Sequence, residues 1–251
     1  MSVIYGPRTS YDLDAADYFA RIVAVGSSIS TDNKAAVNTF IVGCKADGIW
    51  NAIKASCILA GADTLAGALV PLVGVVPTNV NFLESDYSRT TGLKGNGLTK
   101  YLISNRNNNA DPQDSQHIGV YVTALGTVTG DRYWLAVGGG VSGSTALYKN
   151  VGSLLTRSRS STTSTVTNTV TSTGFFGISR SSSASYTMIA NSTSTSITVT
   201  SQAPVLGDFW LYVRNPSAGL SDDRVSFYSI GESLNLALLN TRLATLMSSL
   251  I

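Results

Sequence analysis

The stretch S-N-R-N-N-N-A-D-P-Q, residues 104–113, places Asn105, Arg106, Asn107, Asn108, Asn109 and Asp111 on one short loop. Side-chain amides and a carboxylate donate and accept in pairs, which matches vicinal sugar hydroxyls, and the same oxygens could hold calcium. Carbohydrate or calcium is therefore the ligand chemistry this loop suggests. Asn and Asp are also ordinary turn residues, so a structural loop or a subunit contact stays open beside it.

Elsewhere the chemistry-bearing residues are sparse. His117 is the single histidine, and no Ser or Cys nucleophile stands in a recognisable motif around it, so no triad can be built and a structural histidine at a strand edge is expected. Asp222 and Asp223 are adjacent and point to opposite faces if extended, while Glu232 could cap a following helix. There is no Cys/His spacing for zinc, no phosphate loop ending in Lys-Ser/Thr and no helix-loop-helix calcium loop. Trp134, Trp210 and Tyr212 could stack on sugar rings, although burial in a core is the expectation for each. These patterns predict a non-enzymatic protein without a cofactor, calcium being the one ion the loop leaves open.

The elements that carry these residues begin with helices. Asp12, Asp14 and Asp17 followed by Phe19, Ile22 and Val23 predict a helix from Asp12 to about Val25, with Ser10 as cap. A second helix is expected from Thr31 or Asp32 to Val42, stopped by Gly43, and a third where Ile49, Trp50, Ile53, Cys57, Ile58 and Leu59 form a broad stripe ending at Gly61. Cys44 and Cys57 both fall in these helical readings and are expected as small buried hydrophobes. Leu65 to Val76, broken by Gly67, Pro71 and Gly74, suits a buried strand or turn.

After Pro77 the period becomes that of strands. H-I-G-V-Y-V-T-A-L, R-Y-W-L-A-V, G-F-F-G-I-S, S-Y-T-M-I-A, S-I-T-V-T-S, D-F-W-L-Y-V-R and D-R-V-S-F-Y-S-I alternate faces, with glycine-rich turns between them. Ile118, Val120 and Val122 share one face, as do Phe209, Leu211 and Val213. The Ser/Thr-rich run from Ser158 to Thr173 reads as an exposed strand rather than a linker. Leu239, Leu243, Leu246 and Leu250 predict a closing helix over Leu234–Leu250. The expected organisation is a helical segment over 1–76, a β-sandwich over 77–233 and a C-terminal helix over 234–251.

Composition narrows the class. Charged residues make up 13% of the chain and the net charge is +2, so there is no electrostatic footprint for nucleic acid. No apolar run reaches the roughly 20 residues that span a bilayer, and the start lacks a secretory signal, which predicts a product made in the cytoplasm without membrane insertion. Abundant neutral polar residues fit strands covered by neighbouring subunits, hence an assembly component.

Two blocks then carry a resemblance. G-L-K-G-N-G-L-T-K-Y-L (Gly92–Leu102) resembles the opening of laminin-G-like domains of the concanavalin superfamily, and D-R-V-S-F-Y-S-I-G-E-S-L (Asp223–Leu234) resembles their closing strand. The implied fold is a mainly β, concanavalin/laminin-G-like jelly-roll with an N-terminal helical segment and a short C-terminal helix. Glucanases of that superfamily carry an E-x-D-x-x-E-like acid set, and no strand here has it. G-C-K-A-D-G-I-W-N-A-I-K-A-S-C-I-L-A-G-A (Gly43–Ala62), together with the Asn-rich loop, resembles tail-associated and other structural proteins of bacteriophages. That resemblance implies a virion component of the tail or fibre, its lectin-like surface facing host polysaccharide, or alternatively a capsid decoration protein without glycan binding. Either would be a homo-oligomer, expected as a trimer, in contact with other virion proteins.

Overall fold

The computed structural model describes residues 11–167, 169–214 and 218–250. Helix α1 (Leu13–Ala24) is capped by Asp12, whose side chain accepts from the Asp14 N–H; the expected Ser10 cap lies outside the described residues. Ser30 caps α2 (Thr31–Ala46). This helix runs through Gly43 instead of stopping there. The reason is close packing: a Cβ at Gly43 would lie 2.8 Å from Arg242 Nε on the closing helix. Leu65–Ala68 forms a short helix, α3, where a strand or turn was expected. The closing helix α4 (Leu236–Ser249) forms as predicted, capped by Asn235 rather than by Glu232.

The third predicted helix is instead a 3-10 turn (Trp50–Ala52) leading into strand β1 (Ile53–Ile58). Its residues are buried on both sides, so the run is apolar throughout and shows no alternation to distinguish strand from helix. Cys57 therefore sits on a strand, and the segment 1–76 is not wholly helical. The remaining strands are β2 (Thr78–Val80), β3 (Tyr87–Ser88), β4 (Gly92–Lys94), β5 (Tyr101–Asn107), β6 (Gln116–Ala124), β7 (Arg132–Val137) and β8 (Thr145–Asn150). They continue with β9 (Ser153–Arg157), β10 (Ser164–Val166), β11 (Gly174–Arg180), β12 (Ser185–Ala190), β13 (Thr193–Thr198), β14 (Asp208–Leu211) and β15 (Arg224–Gly231).

These strands form two antiparallel sheets packed as a jelly-roll sandwich. One sheet runs β13-β12-β11-β6-β15-β4-β3, with β1 also paired to β15; the other runs β10-β9-β8-β7-β14-β5-β2. Between them lies the main core, where Ile118, Val120 and Val122 meet Trp134, Leu135, Phe209 and Leu211. The predicted Ser158–Thr173 strand is shorter than expected. Only Ser164–Val166 pairs, because Arg159 takes φ +50° and turns the chain, with Ser158, Arg159 and Ser160 all buried.

A second core joins the helices to the outer face of the eight-stranded sheet. Ile22, Phe40, Ile41, Leu239 and Leu243 pack there on Phe175, Ile189 and Phe227. β1 links the two cores. A register shift between Ile53 and Ala55 turns Ile53 to the helix side with Ile58, while Ala55 and Cys57 face the other sheet. The chain is thus three layers: helices, eight-stranded sheet, seven-stranded sheet. The helical core draws on no residue of the seven-stranded sheet, whose outer face carries a small buried cluster of Tyr133, Ala136, Ala146 and Tyr148 with Leu155 against it.

Candidate functional site

The Asn-rich loop connects β5 to β6 at one end of the sandwich, and the fold itself uses much of its polarity. Asn108 is fully buried: its Nδ2 donates to the carbonyls of Gly143 (3.0 Å) and Val205 (3.1 Å), and its Oδ1 accepts from Gln116 and Thr145. Asn107 Oδ1 takes the backbone N–H groups of Asn109 and Gly207. Arg106 pairs with the buried Asp111 at 2.5 Å. Asn105 donates to the Val76 carbonyl and to Thr78. Asn109 is exposed, and among the described residues no hydrogen bond engages its side chain. Asn108 and Asp111 are therefore turned into the protein, where Asn108 braces backbone carbonyls and Asp111 pairs with Arg106. A buried Asn satisfying several backbone groups looks the same in sequence as an exposed ligand.

Beneath this loop lie two fully buried arginines. Arg159 donates to the carbonyls of Pro112 and Asn108, and Arg180 to those of Ser158, Ser182, Ser183, Ser185 and Val199. Burial lowers the Arg159 pKa to about 10. Both side chains satisfy carbonyls of irregular backbone that would otherwise be buried without a partner.

The remaining titratable candidates are sealed or paired. His117 lies in the middle of the eight-stranded sheet rather than at an edge, with Nε2 2.6 Å from Ser229 Oγ and Nδ1 2.5 Å from the Glu232 carbonyl. Both His117 and Ser229 have no exposed surface, so this Ser-His pair has no approach for a substrate. Asp223 is buried against Lys149, whereas Asp222 accepts the backbone N–H groups of Thr127 and Val128. Glu232 pairs with Lys54 at 3.0 Å. Cys44 and Cys57 are buried free thiols, each pushed up to about 12 by burial. Among the described residues no three His, Cys, Asp or Glu side chains group closely enough to hold a metal ion, and no helix is long and apolar enough to cross a membrane.

Accessible aromatic surface sits on the outer face of the seven-stranded sheet. In β14, Phe209 and Leu211 point into the main core, so Trp210 between them points out. Trp134 and Tyr212 are buried as expected; Trp210 stays partly exposed. It stacks on Tyr101 of the neighbouring β5, ring centroids 4.9 Å apart and planes 11° from parallel, with Ile103 directly beside it in register. Further along the sheet Tyr133 stacks on Tyr148 at 4.4 Å, and the Arg214 guanidinium lies 5.6 Å from the Tyr133 ring centre. A partly exposed aromatic pair of this kind can bind a pyranose by stacking.

No known protein family and no curated protein matches the sequence. Similar solved structures include the botulinum neurotoxin serotype D binding domain, 11% identical, with a TM-score of 0.49 over 78% of this chain and 51% of that one. The CBM40 of Ruminococcus gnavus IT-sialidase bound to α2,3-sialyllactose is 13% identical, with a TM-score of 0.44 over 52% of this chain and 83% of that one. Domains LG4-5 of the mouse laminin α1 chain are 13% identical, with a TM-score of 0.42 over 66% and 47%. None of these likenesses locates a site on this chain.

Proposed function

We propose that this chain is a non-catalytic carbohydrate-binding β-sandwich whose sugar platform is the Trp210–Tyr101 pair. The observation that carries this reading is the position of that pair. The helices pack on the other sheet, so the seven-stranded sheet keeps an outer face on which two stacked rings remain partly exposed. An aromatic left at a surface costs hydration free energy, on the order of 25 cal/mol per Å² of apolar area, which a stacked sugar ring would recover. The non-catalytic part of the reading is supported by Asp223, Glu232 and His117, whose side chains are engaged by Lys149, Lys54 and Ser229.

The placement of the chain in a bacteriophage tail or fibre, as a homo-oligomer presenting this face to host polysaccharide, belongs to the same proposal and rests on the sequence blocks 43–62 and 104–113. Its test is labelling of purified particles with an antibody against the chain. Density on tail or fibre is expected, and density on capsid faces would replace this placement with the decoration role. For binding itself, a glycan array with the full chain is expected to give saturable signal that Trp210→Ala weakens about tenfold; no binding to any glycan would overturn the reading.

A further inference from the structure

The eight-stranded sheet ends on an edge that the fold leaves open. β13 pairs with β12 through six residues without a register shift, closed by the two-residue turn Asn191–Ser192 with Asn191 at φ +54°. In so short a hairpin the residues flanking the turn, Ala190 and Thr193, exchange hydrogen bonds, so Thr193, Thr195 and Ile197 direct their backbone groups at β12. Ser194, Ser196 and Thr198 direct theirs away from the sheet, and all three residues are exposed. Among the described residues no hydrogen bond engages those outward N–H and C=O groups.

Such an edge is a template for another strand, and folded proteins blunt it by shortness, charge, proline or a bulge. The other sheet ends are short, with two residues in β3 and three each in β2 and β10. β13 has six residues and carries neither proline nor charge. Between Ser160 and Gly207 the only charged residue is Arg180, which is fully buried. The one long edge of the sandwich therefore has none of the devices that would keep a strand away.

We propose that β13 pairs with β13 of a second copy of this chain, antiparallel about a twofold axis at Ser196, joining two eight-stranded sheets into one. The register follows from the outward groups: Ser196 meets the partner's Ser196 and Ser194 meets the partner's Thr198, each exchanging N–H and C=O. The axis stands perpendicular to the sheet, so on the core side Thr195 falls opposite the partner's Ile197, a residue half-buried against the main core that this contact covers further. A second copy fits this edge because its free groups are spaced evenly about one residue and no like charges face each other across the seam. The assembly is a closed dimer, where the phage resemblance implies a trimer. It sets both seven-stranded sheets on one side, so that both Trp210–Tyr101 pairs face one way, as bivalent binding requires; that consequence, unlike the pairing, rests on the carbohydrate-binding reading above.

The test is sedimentation and amide hydrogen exchange of the full chain. At about 100 μM, above the micromolar dissociation constants of weak protein contacts, a dimer is expected that dissociates on dilution. The N–H groups of Ser194, Ser196 and Thr198 should exchange about tenfold or more slowly in the dimer than in the dilute monomer, a readout that needs no variant to fold. Ser196→Lys places two ammonium groups on residues about 5.5 Å apart at Cα and should weaken the dimer about tenfold or more, its circular dichroism matching the parent. A chain that stays monomeric at that concentration, or forms a trimer, overturns the pairing, as does a dimer in which the three N–H groups exchange unslowed. A dimer with these protections that binds no glycan upholds the pairing and overturns only the sugar platform.

Discussion

Lys149 Nζ lies 2.5 Å from Asp223 Oδ1 in the interior of the sandwich, while Asp223 Oδ2 accepts from Trp134 Nε1 at 2.7 Å and from Ser221 Oγ at 2.5 Å. The two charges come from opposite sheets, β8 and the chain just before β15, so the pair ties the layers together. Removing one partner leaves a buried charge without compensation. Asp223→Ala is expected to cost about 3–5 kcal/mol in urea unfolding, and the double change Lys149→Met, Asp223→Leu distinctly less. A single variant as stable as the parent would show that the ion pair is not needed.

His117 gives the fold an acid-sensitive element. Burial lowers its pKa to about 4 from 6.5, the hydrogen bond to the Glu232 carbonyl opposing this only in part. Between these values the unfolded chain binds a proton that the folded chain does not. Stability therefore rises with pH across the window and is lost as pH falls from about 6.5 towards 4, by about 3 kcal/mol in total. Urea midpoints at pH 4.5 and pH 7 should differ less in His117→Asn than in the parent; equal differences would remove His117 as the source.

The Asn-rich loop separates structural from exposed amides. Asn108→Ala leaves two carbonyls, Gln116 and Thr145 without their partner and is expected to destabilise by about 2 kcal/mol or more, whereas Asn109→Ala should stay within about 0.5 kcal/mol. Thermal melts of the two variants side by side check this. The reverse order would contradict the description of the loop as internal bracing.

A fragment beginning at Pro77 should not fold. It would lack β1, leaving Phe227 to Gly231 of β15 unpaired on one side, and would uncover Phe227, on which Phe40 of α2 now packs. Circular dichroism and gel filtration of residues 77–251 are expected to report an aggregated or unfolded chain. A soluble, cooperatively melting fragment would show that the sandwich is independent of the first 76 residues.

Much of this architecture was legible where burial is one-sided. Alternation located β14, and the spacing of the leucines located α4, because each presents one face to a core, whereas β6 and β7, buried on both faces, stood out by their β-branched and aromatic residues. Alternation failed for β1, buried on both faces, and gave no warning of β8 and β9, where T-A-L-Y-K-N hides an inward lysine that only its distant partner Asp223 explains. The Asn-rich loop stood out by composition, yet its polarity serves backbone groups far away in sequence. Trp210 and Tyr101 lie on β14 and β5, far apart in sequence, and the order of strands in the sheet, which no local pattern encodes, is what stacks them.

The most direct measurement is the affinity of the full chain and of Trp210→Ala for whichever glycan the array identifies, with melting temperature recorded for both. Loss of one stacked sugar is worth about 1–1.5 kcal/mol or more, so affinity should fall roughly tenfold while the melting temperature shifts by only a few degrees. Unchanged affinity in a folded Trp210→Ala protein would contradict the assignment of the sugar platform to this face.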